Sequence, residues 1–372
     1  MSVSKRHIVI ISLWFPTKNR PTYGVFVENQ AAELAKHYHV TVLLLERSIR
    51  SYFIKSERRG FTIVEVGAKI LPLRANLLID MKSRQYLKAF DRINNDSPVD
   101  LIHSHSYMSS FSAQHIADKR SIPHVTTIHD TTVLNDTIQS WKKPLLKNVL
   151  QKANKVIAVG EVLKKYLDLH YCKNNVILIP NLIDTQVFTL GLRDDNKFKF
   201  LYVGSFDRRK GLLEMIEAFD QLDMENKEFH FVGYGEMETA MKALIAKLGI
   251  EGSTVFYGRL TNDKTPEIYQ SCHAYVSFSE LETFGVTVVE AMSCGLPVVF
   301  TSCGGPEDTV AAHCGIKVER TVSDLSDGME CMIANYNTFD NKKIRQHAID
   351  NYSNPVIARK LISLYDKIWE YE

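Results

Sequence analysis

The segment that decides the fold is Lys197–Leu222, "KFKFLYVGSFDRRKGLLEMIEAFDQL". Its first part, Lys197 to Gly204, is an apolar, aromatic run of strand length that stops at a glycine. Arg208, Arg209 and Lys210 follow, and Gly211 opens a stretch whose apolar residues recur at helical spacing through Leu222. Strand, short loop and helix form the repeating unit of a parallel sheet wrapped by helices. The unit recurs in both directions. Downstream, "EFHFVG", "STVFYG", "HAYVSF" and "PVVFT" read as strands, with helices "GEMETAMKALIAKLG" and "DLSDGMECMIANY". Upstream lie "HIVIISLW", "VTVLLL", "FTIVEV", "VDLIH", "HVTTI", "KVIAV" and "NVILIP", with helical "VENQAAELAKHY" and "GEVLKKYLDL" between them. A chain of 372 residues exceeds what one core usually serves. The predicted fold is therefore α/β, with two doubly wound domains facing across a cleft. The polar segment "TLGLRDDNKFK" is read as the linker, near residues 189–197, giving domains 1–189 and 190–353. "NPVIARKLISLYDKIWEYE", 354–372, reads as a long closing helix.

Hydrophobic residues at 45% and charged residues at 24% exclude a disordered or membrane-embedded chain. The early apolar run Ile8–Phe15 is too short to span a bilayer and ends at Pro16, so it reads as a strand, with no signal peptide evident. Cys172, Cys272, Cys294, Cys303, Cys314 and Cys331 form no Cys-x-x-Cys pair; their apolar settings predict core packing and a reducing, cytoplasmic home. Charge is unevenly divided. Residues 1–190 hold 26 Lys and Arg against 15 Asp and Glu, whereas residues 191–372 hold 19 against 28, so the halves face different surroundings. The excess is too small, and no motif is present, for a nucleic-acid partner.

Ligands of doubly wound sheets gather at the carboxyl ends of the strands. After the first strand, Ser12 to Pro16 cannot make the Gly-x-Gly-x-x-Gly turn of a nicotinamide enzyme. "VGYGEM", Val232–Met237, lacks the third glycine and reads equally well as a tight turn. The Arg208–Lys210 loop, opening a helix at Gly211, is either a diphosphate clamp or a solvated basic turn. "SELETFGVTVVEAMSCGLPVV", Ser279–Val299, places Glu282 in a loop and Glu290 on the helix that follows Gly285. Carboxylates there suit sugar and ribose hydroxyls. Spacing alone favours the plainer reading, in which Glu290 meets a surface lysine and Glu282 is solvated. His129, by itself, reads as a structural histidine and Asp130 as a cap. The spacing of His103 and His105 is taken to point them to opposite faces, so no metal pair is expected. Asp-x-Asp is absent, and no metal ligands are assigned.

Taken in order, "FPTKNRPTYGVFVENQAAELAK", "VDLIHSHSYMSSFSA", "VTTIHD", "VILIPNLIDTQVF", "VGSFDRRKGLLEMIEAF", "FHFVGYGE", the long stretch from "VFYGRL" to "GLPVV" and "SCGGPEDTV" closely resemble the group 1 nucleotide-sugar glycosyltransferases. The resemblance covers nearly the whole length. It implies the GT-B fold of two Rossmann-like domains, retention of the donor's anomeric configuration and no cofactor besides the nucleotide-diphosphate sugar donor. By motif match, Glu282 meets hydroxyls of the transferred sugar. Phe284, Gly285 and Val286 present backbone amides to sugar and diphosphate, and Glu290 holds the ribose. Lys210 meets the diphosphate, Gly24 approaches it from the first domain, His129 lies near the donor sugar, and Arg259 lies beside the base. The closing helix is implied to return to the first domain. One position departs: the family carries Gly-Arg where this chain has Gly204-Ser205, so Arg208 or Arg209 is the expected substitute cation.

The resemblance implies that the basic first half meets the acceptor; the cations there lead to the expectation of a glycan or lipid-linked acceptor, in cell-surface polysaccharide synthesis. "WKKPLLKNVLQKANK", Trp141–Lys155, with further cations in Arg47–Phe61, suits the anionic inner face of a membrane or, equally, a solvated helix whose leucines are in the core. Two rivals stand beside transfer: a nucleotide-sugar epimerase of the same fold, and a catalytically silent nucleotide-sugar-binding scaffold.

Overall fold

The computed structural model describes residues 5–17, 20–70, 75–194, 196–261 and 263–370. The chain divides into two units, residues 1–182 with 357–372, and residues 183–356. The division falls at Leu182 rather than at the 189–197 segment. Arg193 shows why: its guanidinium donates to the carbonyls of Cys272 (2.7 Å) and Cys294 (2.9 Å), which binds that segment to the second unit.

The first unit holds β1 (His7–Ser12), β2 (His39–Arg47), β3 (Tyr52–Arg58), β4 (Phe61–Ala68), β5 (Leu101–His105), β6 (His124–Ile128), β7 (Lys155–Ala158) and β8 (Val176–Leu178). Their order in the sheet is β3-β4-β2-β1-β5-β6-β7-β8, and every pair is parallel except β3 with β4. Alternation along β1 divides the core. Ile8 and Ile10 face the helix Val25–Ala35 and a stripe of Ile357, Leu361, Leu364 and Tyr365, while Val9 and Ile11 join Phe90, Ile93 and Ile116 on the other side. That stripe is the apolar face of the helix Asn354–Glu370.

Strand β3 was not legible as a strand. It is a largely exposed antiparallel edge whose Lys55, Glu57 and Arg58 show no apolar alternation, and charge on an edge blocks further pairing. Its cations are engaged within the unit: Lys55 pairs with Asp96, and Arg58 reaches the Pro16 carbonyl at 3.3 Å.

The second unit holds β9 (Phe198–Val203), β10 (Lys227–Val232), β11 (Thr254–Gly258), β12 (Ala274–Ser277), β13 (Val298–Thr301) and β14 (Gly315–Val318). The order is β11-β10-β9-β12-β13-β14, all parallel, which is the Rossmann order 3-2-1-4-5-6. Phe198, Phe200, Phe229 and Phe231 fill its core against Phe219 and the helix Val322–Ala334. Strand β14, four residues at an edge, was also missed from sequence.

Two expectations are corrected here. Cys331 is exposed, whereas the other five cysteines are buried as expected; all six thiols are free. His103 and His105 share one face of β5: residues two apart in a strand point the same way, and their rings stack with centroids 4.5 Å apart. Gln30 Nε2 lies 3.2 Å from a nitrogen of each ring, and Tyr365 Oη lies 2.6 Å from His103 Nδ1. On the opposite face, His124 sits between Ser104 Oγ and Gln114 Oε1, each at 2.8 Å. No helix among the described residues is long and apolar enough to cross a membrane.

Burial holds His105 and His124 neutral, with pKa values lowered to about 3, and also holds that of His103 well below the usual histidine range. Because these values lie below that of an unfolded histidine, near 6.5, the native state loses stability as pH falls from the unfolded value toward 3. Urea unfolding is expected to show stability falling between pH 7 and pH 5, with a slope of up to ~1.4 kcal/mol per pH unit for each histidine. The fall should be shallower in His124→Gln; an unchanged slope would remove His124 from the effect.

Candidate functional site

Since all six strands of the second unit run in parallel, the loops after them share one edge. Crossovers from β9 leave toward β10 on one side, while β12 lies on its other side, so the topological switch point falls between β9 and β12. Lys210 comes from the loop after β9 and Glu282 from the loop after β12. The structure brings them together: Lys210 Nζ donates to Glu282 Oε1, and Ser279 Oγ donates to the same oxygen at 2.9 Å. The two side chains are 19% and 20% exposed, so Glu282 is neither solvated nor alone.

The β9 loop is built from its neighbours. Asp207 caps the turn Arg208–Lys210 by accepting from Arg209 N at 3.2 Å, and Ser205 Oγ donates to Asp207 at 2.6 Å. Arg208 and Arg209 are exposed on this turn, and Arg209 Nε lies 3.6 Å from Asp207. The "VGYG" glycines have a packing role: a Cβ on Gly233 would stand 1.8 Å from the Gly204 carbonyl oxygen, and one on Gly235 would stand 2.4 Å from that of Phe206. Backbone bonds from Phe206 N to Tyr234 O (2.9 Å) and from Met237 N to Phe206 O (3.0 Å) lace the two loops. Tyr234, which the sequence reading passed over, is exposed, and the Arg259 guanidinium lies 3.7 Å from its ring centroid.

Gly285 begins the helix Val286–Ser293 in the left-handed region, φ 85°, where a side chain is strained. Phe284 is buried, its backbone close against Gly305, and its ring meets Tyr352 edge-on at 5.6 Å. Glu307 fixes that neighbouring loop by accepting from Gly304 N at 2.9 Å. Glu290, one turn into the helix, meets no lysine among the described residues. Tyr269 Oη donates to its Oε2 at 2.9 Å. Glu290 is half-buried as a residue, and burial of its carboxyl raises the pKa to about 7 against the lowering effect of the tyrosine bond. Tyr275 Oη bonds both Thr287 Oγ1 (2.8 Å) and the Val203 carbonyl (3.0 Å), tying the helix start to the end of β9.

Nothing in the sequence signalled Tyr269, which comes from a separate helix. Ser279, three residues before Glu282 in a loop, was visible but carried no pattern.

Gly24 and His129 belong to the first unit. Gly24 caps the helix Val25–Ala35 with φ 71°, and a Cβ there would meet the Trp14 carbonyl at 2.3 Å. Trp14 and Phe26 pack on His129, with ring centroids 5.8 and 4.8 Å away. His129 Nε2 lies 2.9 Å from His105 Nδ1, and burial keeps the ring neutral. Asp130 is a cap, though for another helix: Ser106 Oγ (2.8 Å) and Tyr107 N (3.1 Å) donate to it, binding the start of Tyr107–Arg120, and burial raises its pKa to about 6.

Comparison with known proteins gives matches to two adjoining families. Residues 184–351 match Glycosyl transferases group 1, and residues 24–187 match Glycosyltransferase Family 4. An uncharacterized glycosyltransferase of Methanocaldococcus jannaschii is 28% identical over 64% of this chain and 66% of its own length. Alpha-maltose-1-phosphate synthase of Mycobacterium tuberculosis is 25% identical over 74% of this chain and 81% of its own. Among solved structures, Anabaena HepE in complex with UDP and glucose superposes with a TM-score of 0.76 at 15% identity, over 97% of this chain and 100% of that one. The parallel sheets, the strand order and the family matches lead to one conclusion: the chain is a group 1 glycosyltransferase with the two Rossmann-like domains of the GT-B fold.

Proposed function

We propose that this enzyme moves a sugar from a nucleotide-diphosphate sugar to a glycan or lipid-linked acceptor, retaining the anomeric configuration, in cell-surface polysaccharide synthesis. The observation that carries the reading is the meeting of Lys210 and Glu282 at the switch point, with the Gly285 helix start in the same loop as Glu282. The UDP bound to HepE, a protein of the same fold, supports a nucleotide donor.

Cleavage of the bond from the anomeric carbon to the diphosphate builds positive charge on the sugar and negative charge on the leaving oxygens. In this reading Lys210 and the first amides after Gly285 stabilise the leaving diphosphate, while Glu282 accepts from sugar hydroxyls at the reacting face. Arg208 and Arg209, exposed on the same turn, stand in for the cation that Ser205 lacks. Glu290 takes the ribose hydroxyls, and Arg259 on Tyr234 offers a stacking platform for the base. On the motif match, Gly24 and His129 of the first unit are carried as further proposed donor contacts. Without an Asp-x-Asp element we assign no metal to the transfer step, and the leaving phosphate takes the acceptor proton. No cofactor is invoked.

Basic residues of the first unit give the acceptor side a membrane-facing character. Lys147, Lys165 and Lys173 line an open groove of about 670 Å³ with the strongly exposed Leu169, and Leu145 and Val162 are also exposed. Leu146, Val149 and Leu150 are in the core, so the amphipathic helix Lys143–Lys152 divides its apolar residues between packing and surface. We assign this surface to anionic lipid at the inner face of the membrane, with the enzyme cytoplasmic and peripheral.

Glu282→Ala is expected to lower transfer by about 100-fold or more while the melting temperature stays near wild type, because a partly exposed ion pair contributes only about 1 kcal/mol. Unchanged transfer would overturn the assignment. Isomerised donor without acceptor would indicate an epimerase, and donor binding without turnover a scaffold. A nucleotide-sugar panel screened by thermal shift should identify the donor by linkage. Glu290→Gln should raise its KM roughly 10-fold or more. In wild type, donor affinity should weaken as pH falls through about 7, where the Glu290 carboxyl protonates, and Glu290→Gln should remove that dependence. Vesicle flotation should recover the protein with anionic but not neutral liposomes, and Lys147→Glu with Lys165→Glu should abolish recovery. Equal failure with both lipids would reject the membrane role.

A further inference from the structure

Cys314 directly precedes β14, so it lies at the amino edge of the second unit's sheet, away from the loops that carry Lys210, Glu282 and Glu290. The turn Ala312–Cys314 packs there against the helix Asn341–Tyr352. His313, Cys314 and His347 each place a ligand atom within 4.8 Å of the other two. The two imidazole rings meet edge to face, centroids 5.6 Å apart. Cys314 is fully buried, His347 partly so, and His313 exposed.

His347 has the surroundings of a ligand. Its Nε2 lies 2.9 Å from the Thr309 carbonyl oxygen, a contact that places the ring proton on Nε2 and leaves Nδ1 the lone pair. A backbone carbonyl accepting the remote N–H is how ligating histidines are commonly oriented. Nδ1 otherwise has a long contact, 3.4 Å, from the Asn351 side-chain amide, which a metal would replace.

We propose that His313, Cys314 and His347 form a three-ligand site for a borderline-soft divalent ion of the zinc class, distinct from the transfer chemistry. One thiolate and two imidazoles suit zinc or cobalt and not magnesium or calcium, which prefer oxygen. Ligands around a tetrahedral zinc stand roughly 3.3–3.8 Å apart, so closure from the 4.8 Å limit requires a contraction of up to about 1.5 Å, to be supplied by rotation of the exposed His313 side chain together with adjustment of the half-buried His347. Binding forms the metal–sulfur bond as the Cys314 thiol proton leaves to solvent, and both histidines bind neutral. Such an ion ties the turn before β14 to the helix Asn341–Tyr352.

Titrating the metal-stripped 372-residue chain with Co²⁺ tests this. The expected result is about one ion per chain, with thiolate-to-cobalt charge-transfer absorption that Zn²⁺ displaces. Cys314→Ser should lose the absorption, His347→Asn should lose stoichiometric binding, and Cys331→Ser should retain both, with far-UV circular dichroism confirming that each variant is folded. No charge-transfer band in wild type at saturating Co²⁺, or a band that persists in Cys314→Ser, would overturn the site. The readout is independent of sugar transfer.

Discussion

The site in the second unit depends on one topological constraint: β9 pairs with β10 on one side and β12 on the other, and all three run the same way. Chain leaving β9 turns back into one crossover, while β12 begins the series on the far side. The loops that follow therefore diverge and leave a crevice at the carboxyl edge. Lys210 and Glu282 are 72 residues apart and meet only because of this adjacency. Local interactions then set the position of each. Asp207 caps the lysine turn, Ser279 holds the glutamate, and Glu282 N donates to the Cys303 carbonyl at 2.7 Å, fastening the β12 loop to the segment after β13.

Within that frame, two glutamates eight positions apart occupy unlike environments. Glu282 is a loop residue with a cation and a hydroxyl on one oxygen. Glu290 is held under the helix start against Tyr269, among Tyr275 and Thr287, and its carboxyl titrates near neutrality because burial outweighs a single hydrogen bond. Residue type cannot separate these cases. The surroundings that separate them come from a different helix and from the end of β9, contacts between segments distant in sequence.

This is also where the sequence stopped being legible. Strands buried on both faces, such as β1, β5 and β9, announce themselves as apolar runs, and the alternation with helices gives the fold class. Edge strands do not: β3 carries charge where a strand pattern needs apolar residues, and β14 is only four residues long. Lys210, Glu282 and Glu290 were singled out by their place after strand ends together with the family resemblance, since spacing alone left Lys210 open and favoured the plainer reading of the glutamates. Their partners Ser279 and Tyr269 were not, since hydroxyl residues are common and no spacing marks them. The faces of His103 and His105 could have been read correctly, because the two-residue period of a strand places them together.

The Lys210–Glu282 pair bears on how such a site would discriminate. A partly exposed ion pair is a weak bond, about 1 kcal/mol, because water competes for both groups. A diphosphate and a sugar hydroxyl presented together offer the lysine a stronger anion and the carboxylate a replacement donor, so neither charge is stranded. In the proposed role, a free nucleotide diphosphate would engage only the lysine and leave Glu282 with Ser279 alone. Under the proposed function, the geometry that holds the two charges together would favour the intact donor over its product, because only the intact donor would offer both a new anion to Lys210 and a new hydrogen-bond donor to Glu282.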